Sequence, residues 1–233
     1  MEKQKFEEMK IDEALTRRFN NISLKRDGTA MHFIDGKLIS NRDCIRNSRF
    51  PHIANLLKKF EINNVVGEIY IEGGCIFDIT AKINWHNAKY MIFDIKTNQS
   101  IEQKKAYIEE IVNKINNPSI TKPLYFATIR EGWDYVVKNN EEGLVAKHSN
   151  FDIYKIKKLN EAKIKIVGYE SGLEKGAFIL ENGGKVSATS RDFVERYRQL
   201  SKGNEVFADI RYQFKTPDGK FFQPRLLDLV VMR

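Results

Sequence analysis

The sequence predicts an α+β protein in two parts, a larger one of antiparallel sheets with flanking helices and a smaller β-barrel. Three observations carry this. Short apolar runs broken by turn signals recur from Ile22 onward, in ISLKRDG, MHFIDGKLIS, VVGEIYI, CIFDITAKI and YMIFDI, and such runs have the length and residue types of strands. Between and after them, SRFPHIANLLKKF and SIEQKKAYIEEIVNKI carry helical spacing; the first follows Pro51, and the second opens at Ser100 and stops before Pro118. From near residue 160 the pattern is almost wholly strand-like.

Taken in order, residues 2–18 place Phe6, Met9, Ile11 and Leu15 at helical intervals, which predicts a short helical lead-in. The β segments and the two helices follow. LYFATI and GLVAKHS read as further strands, with GWDYVVKNN as a helix between them. The last block holds AKIKIVGYESG, GAFILENG, GKVSAT, the amphipathic stretch RDFVERYRQL, EVFADIRYQF, the turn PDG and FFQPRLLDLVV. About 70 residues with five or so strands and one helix fit a small barrel of the oligonucleotide-binding (OB) type. The boundary falls in the basic stretch Tyr154 to Asn160, dividing the chain into residues 1–157 and 158–233.

Composition narrows the function classes. With 42% hydrophobic and 30% charged residues in 233, the chain is neither disordered nor fibrous. No stretch approaches the ~18 apolar residues of a membrane span, and the start MEKQKFEEMK is too charged for a secretory signal. A cytoplasmic protein is expected, in the host cytoplasm if the source is a virus. Two cysteines, Cys44 and Cys75, cannot build a four-thiolate zinc site. The net charge of +8 has no polybasic tail behind it, so a basic face suited to an anionic partner such as nucleic acid is expected.

The most informative tetrapeptide is Lys25-Arg26-Asp27-Gly28, because a lysine at a strand end before a tight turn can present its amine into a pocket. Asp-Gly turns are common, and Asp35-Gly36 and Asp218-Gly219 are two more. Four further pieces follow in order: Gly67-Glu68, Phe93-Asp94, Glu142-Gly143 and Lys155-Ile156-Lys157. Each dipeptide has decoys, such as Phe77-Asp78, Phe151-Asp152 and Glu131-Gly132. Only the ordered set is informative.

In order and spacing these pieces resemble the nucleotidyltransferase motifs of ATP-dependent DNA ligases, in the superfamily that also holds RNA ligases and mRNA capping enzymes. LISNRDCIRNSRFPHI resembles the ligase segment with an Arg in a short loop before an Arg-Phe-Pro helix start, and AKIKIVGYESG and VFADIRYQFKTPDGKFFQPR look like OB-domain strands. The resemblance implies an adenylation (nucleotidyltransferase) domain over 1–157 and an OB-fold domain over 158–233. It also implies a minimal, monomeric ligase that uses ATP and Mg²⁺ to seal 5′-phosphate/3′-hydroxyl nicks in duplex DNA through a lysyl-AMP intermediate. An RNA ligase, or one accepting mixed RNA and DNA ends, is the alternative within the class. A non-catalytic nucleic-acid-binding OB protein is the alternative outside it.

Physical chemistry assigns roles beside the resemblance. A lysine attacks phosphorus only when neutral, so Lys25 is the candidate nucleophile, with Lys155, Lys157 and Arg42 expected to lower its pKa and neutralise triphosphate oxygens. Glu68 and Glu142 are expected to aim carboxylates at Mg²⁺, their bland alternative being strand-end surface acids. Asp27 is expected to hold the turn beside Lys25. Phe93 would stack on adenine by resemblance, although a core aromatic is the commoner fate of such a residue. The chain departs from the ligase pattern at Ala30, where an Arg is usual, and at Phe222, Asp228 and Val230, where basic residues are usual. Arg225 remains the best candidate for orienting pyrophosphate, and Arg233 a weaker one.

Overall fold

The computed structural model describes residues 6–80, 85–149, 151–172, 176–188 and 190–231, and the chain divides into two units, 1–157 and 158–233. Arg233 lies outside the described residues. In chain order the first unit holds β1 (Phe6–Glu8), α1 (Ile11–Ala14), β2 (Asn21–Lys25), β3 (Thr29–Ile34), β4 (Lys37–Ser40), α2 (Pro51–Lys59), β5 (Val65–Tyr70) and α3 (Ile76–Thr80). It continues with β6 (Lys89–Ile95), α4 (Ile101–Ile115), β7 (Ile120–Thr121), β8 (Tyr125–Phe126), α5 (Ile129–Asn139), β9 (Gly143–Lys147) and β10 (Ile153–Lys157).

These strands form two five-stranded sheets, ordered β1-β10-β9-β2-β8 and β4-β3-β5-β6-β7. Alternation decides which face of each is buried. In the first sheet Ile22, Leu24, Leu144, Ala146 and Ile156 form one core with Val136 of α5, which sends Ser23, Lys25, Val145, Lys155 and Lys157 to the opposite face. In the second, Phe33, Val65, Ile69 and Ile92 pack with Leu57 of α2 and Ile111 of α4. The helix ends follow local chemistry: Ser100 and Gln103 form a reciprocal capping box on α4, and Thr128 caps α5 through the Glu131 N–H. The left-handed residues Asn116 and Asn140 close the two helices.

Two expectations are corrected here. The helical lead-in gives way to strand β1, parallel to β10 with Phe6 opposite Ile153, and among the described residues of that stretch only Ile11–Ala14 is helical. A short isolated helix is costly to nucleate, whereas β1 satisfies the open backbone edge of β10. CIFDITAKI is not a strand: Ile76–Thr80 forms α3, and residues 81–84 lie outside the described residues. Local capping wins there, since the Cys75 N–H donates to Asp78 Oδ2 at 2.7 Å and Thr80 Oγ1 donates back to the Ile76 carbonyl.

The second unit contains β11 (Asn160–Glu170), β12 (Ala177–Leu180), β13 (Lys185–Ser187), α6 (Arg191–Leu200), β14 (Val206–Tyr212) and β15 (Arg225–Val231). Its strands run β13-β12-β11-β14-β15, all antiparallel, over a core of Ile164, Phe178, Val186, Ala208 and Leu229. Among the described residues no ladder joins β13 to β15, although the two strands lie in contact. With three residues, β13 offers little backbone for such a ladder. Asp228, where a basic residue was expected, pairs instead with Arg196 of α6 at 2.5 Å. No described helix is long and apolar enough to cross a membrane.

Candidate active site

Strand register gathers the basic residues. Lys25, the last residue of β2, stands opposite Gly143, and Gly143 stands opposite Lys157 of β10. The next row is Ser23, Val145 and Lys155. Three lysines from two separate stretches therefore emerge on one sheet face, opposite the packed core.

Two glycines permit the close approaches that bring acids to them. Gly143 has φ +155°, and a Cβ there would lie 2.1 Å from the Ile156 carbonyl oxygen and 2.9 Å from Lys157 Cα. Gly28 lies against the second sheet, where a Cβ would meet the Ile69 carbonyl oxygen at 2.2 Å and Glu68 Cγ at 2.9 Å. The turn after Lys25 is thereby pressed onto β5. Gly143→Ala should push β9 from β10, lowering the melting temperature by several degrees. An unchanged thermal midpoint would show that the strands absorb the methyl group.

Glu142 sits between the cations. Lys25 Nζ donates to its carboxylate, Lys157 Nζ is 3.8 Å from Glu142 Oε1 and 3.8 Å from Glu8 Oε1, and the Glu142 side chain is only 4% exposed. The neighbouring residues pair likewise, Arg26 with Glu141 at 2.6 Å, while the Arg26 guanidinium also lies 5.2 Å from the Tyr70 ring centre. Asp27 Oδ2 accepts from the Ile76 N–H at 3.3 Å, which ties the turn to the start of α3.

Burial and mutual repulsion set the charge states. Burial, opposed by Lys25 but reinforced by Glu142 and Asp27, pushes Glu68 up to about 8. Burial and the nearby Glu142 likewise raise Asp27 to about 6. Lys155, whose Nζ is 4.4 Å from the Phe6 ring centre, is lowered by burial and then by Lys25 and Lys157. The expected depression of Lys25 is overturned. Burial does oppose its charge, but Glu142, Glu68 and Asp27 outweigh burial and hold its pKa above the ordinary lysine value. In this arrangement the acids, and not the neighbouring cations, dominate the amine.

The structure thus brings together Lys25, Asp27, Glu68, Glu142, Lys155 and Lys157. Arg42 is exposed in the turn after β4 and makes no ion pair among the described residues. Phe93 is the partly buried residue in the otherwise buried run Tyr90–Ile95. Arg225 opens β15 in the second unit, opposite Arg211.

Sequence reasoning missed a second polar cluster. Lys147, one row beyond Lys155 and opposite Asn21, has its pKa lowered by burial, with Asp94 acting in the opposite sense and Lys104 in the same one. Asp94 and Lys104 form a 3.0 Å ion pair with side chains 8% and 9% exposed. One signal was available: Lys104 interrupts the stripe Ile101, Ile108, Ile111 and Ile115 that α4 buries, and a lysine at such a position needs a partner.

No family model and no curated protein matches the sequence. Solved structures do match. A Lig E DNA ligase, described as binding DNA with a minimal scaffold, aligns with a TM-score of 0.73 at 15% identity, covering 97% of this chain and 98% of that one. The ligase domain of M. tuberculosis LigD aligns with a TM-score of 0.52 at 14% identity over 90% of this chain and 88% of that one. A mycobacterial DNA ligase D complexed with ATP and MES gives 0.50 at 15% identity, with 90% and 88% covered. Matched almost end to end with the first of these, the chain has the fold of the minimal DNA ligases.

Proposed function

We propose that this protein is an ATP-dependent polynucleotide ligase that seals 5′-phosphate/3′-hydroxyl nicks in duplex DNA through a lysyl-AMP intermediate. The observation that carries this reading is Lys25, hydrogen-bonded to Glu142 and electrostatically coupled to Glu68, Asp27 and Lys155. Such a cluster holds an amine in place, supplies acids to take its proton and offers cations to phosphate oxygens.

In the first step neutral Lys25 Nζ attacks the α-phosphorus of ATP: an N–P bond forms, the bond to the bridging oxygen breaks, and pyrophosphate leaves. A 5′-phosphate oxygen then displaces the amine, regenerating Lys25 and leaving AMP on the DNA end. Finally the 3′-hydroxyl attacks that activated phosphate and AMP departs, as in in-line phosphoryl transfer generally. Lys155 and Lys157 neutralise phosphate charge. The resemblance assigns Arg42 and Arg225 to the nucleotide and its leaving group, and Phe93 to the adenine ring.

The donor set fits Mg²⁺. Among the described residues no three His, Cys, Asp or Glu side chains form a ready-made cage, but this ion commonly takes one or two carboxylates together with substrate phosphates. Glu68 and Glu142 would supply those carboxylates; burial first, and then repulsion from Glu142 and Asp27, disfavours the Glu68 charge, and a divalent cation would offset both. Bound there, the ion would offset charge on the phosphates.

The strand order of the second unit supports an OB-type domain, and the net charge of +8 suits the DNA backbone, with affinity falling steeply as salt rises. The test is incubation with α-labelled ATP and Mg²⁺, followed by nicked duplexes carrying RNA or DNA on the 3′-hydroxyl side, the 5′-phosphate side and the template. Covalent label on the protein that survives alkali and is released by warm acid, as a lysyl phosphoramidate requires, and closure of the all-DNA nick are expected. Closure only with RNA at an end would assign an RNA ligase, and nucleic-acid binding without label would leave only a binding protein.

A further inference from the structure

The Lys104–Asp94 pair has no part in the steps above, yet it is an unusual element of a core. Two charges buried in an apolar layer are seldom more stable than well-packed apolar residues of the same size, so stability is a poor reason for their presence. Their location is informative. Along β5 and β6 the register pairs Gly67 with Ile92 but Val66 with Asp94, so the ladder slips by one residue and Phe93 is the residue left over. A bulge of this kind re-aims the side chain it carries.

Asp94 is the residue that pins the slip. Its Oδ1 accepts from the Ile95 N–H at 2.8 Å and from Lys104 Nζ at 3.0 Å, which fastens the strand just past Phe93 to the buried stripe of α4. From these contacts we infer that the Lys104–Asp94 ion pair is a positioning device that holds Phe93 in the orientation needed to stack on a nucleobase. The inference rests on the ligase reading, which supplies the base. Lys104 and Asp94 are positioning residues that act through Phe93.

A double-mutant cycle tests this. Lys104→Met alone takes the 3.0 Å ion-pair contact from a buried carboxylate and risks the fold, so the pair is replaced together as Lys104→Met/Asp94→Asn, in the wild-type and the Phe93→Leu backgrounds. ATP affinity is measured by titration calorimetry, and the first step by single-turnover labelling across ATP concentrations. With Phe93 present, the replacement should weaken ATP binding and raise the apparent KM about tenfold, leaving the maximal labelling rate within about twofold. In the Phe93→Leu background the same replacement should change binding by less than about twofold, since no aromatic ring remains to be oriented. Equal losses in both backgrounds, or a lowered melting temperature with unchanged ATP affinity, would overturn the inference while leaving the ligase reading intact. A wild-type protein that neither binds ATP nor becomes labelled would overturn both.

Discussion

Lys25→Ala is expected to lose covalent labelling by ATP to background and to seal ordinary nicks at least a thousandfold more slowly, while still closing a nick whose 5′ end already carries AMP. The asymmetry follows from the proposed chemistry, in which the amine would attack only when the nucleotide is loaded and the 3′-hydroxyl would attack in the last step. Lys25→Arg should fail at loading as completely, because a guanidinium keeps its proton, although it would preserve the charge beside Glu142. The environment of Lys25 adds a pH signature. With Glu142, Glu68 and Asp27 holding the amine above the ordinary lysine value, neutral amine is scarce near pH 7, so the loading rate should climb as pH rises into the alkaline range. Single-turnover labelling between neutral and alkaline pH measures this. A rate flat with pH, or label on Lys25→Ala at the wild-type level, would place the nucleophile elsewhere.

Much of this arrangement was legible in the sequence, and the parts that were not have physical reasons. Strands β2 and β9 read correctly from their short apolar runs, whereas Ile153–Lys157 reads only as a motif at the domain boundary; its pairing as β10 is what brings Lys155 and Lys157 to the face of Lys25. Helices α4 and α5 read well because their periods are long, and Ser100 signals the start of α4 in the sequence. Phe6–Glu8 misled because a three-residue strand on a sheet edge has no period of its own, and its partner β10 lies almost 150 residues away. Ile76–Thr80 misled because capping by Asp78 is a side-chain event that β-branched composition hides. The pKa of Lys25 misled for a different reason. Lys155 and Lys157 stand beside it in register, but Glu68 comes from the second sheet through the Gly28 approach, and Glu142 takes its amine directly. Which charges dominate was a question of packing between sheets, and no spacing along the chain answers it.

Glu68→Gln should make the protein more stable above neutral pH and far less active. Burial and the neighbouring acids raise Glu68 to about 8 from an ordinary value of 4.5, so between those two pH values the folded chain holds a proton that the unfolded chain has released. Unfolding stability therefore falls as pH rises through that window, with the penalty absent below about pH 4.5 and complete above about pH 8. Asp27, raised to about 6, adds to the same trend at lower pH. Removing the Glu68 charge abolishes its share, so Glu68→Gln should match the parent near pH 5 and exceed it at pH 8.5 by about 1–3 kcal/mol. The same substitution should cut sealing by about two to three orders of magnitude at saturating Mg²⁺, because an amide keeps the oxygen and loses the charge that an incoming cation needs. Glu142→Gln should lose comparable activity without that stability gain, since it gives up the partner of Lys25. Denaturant unfolding at both pH values, run beside sealing assays, reads the two effects together. A stability difference that does not vary with pH, or near-normal sealing by Glu68→Gln, would reduce Glu68 to a structural acid within β5 and move the proposed metal site elsewhere.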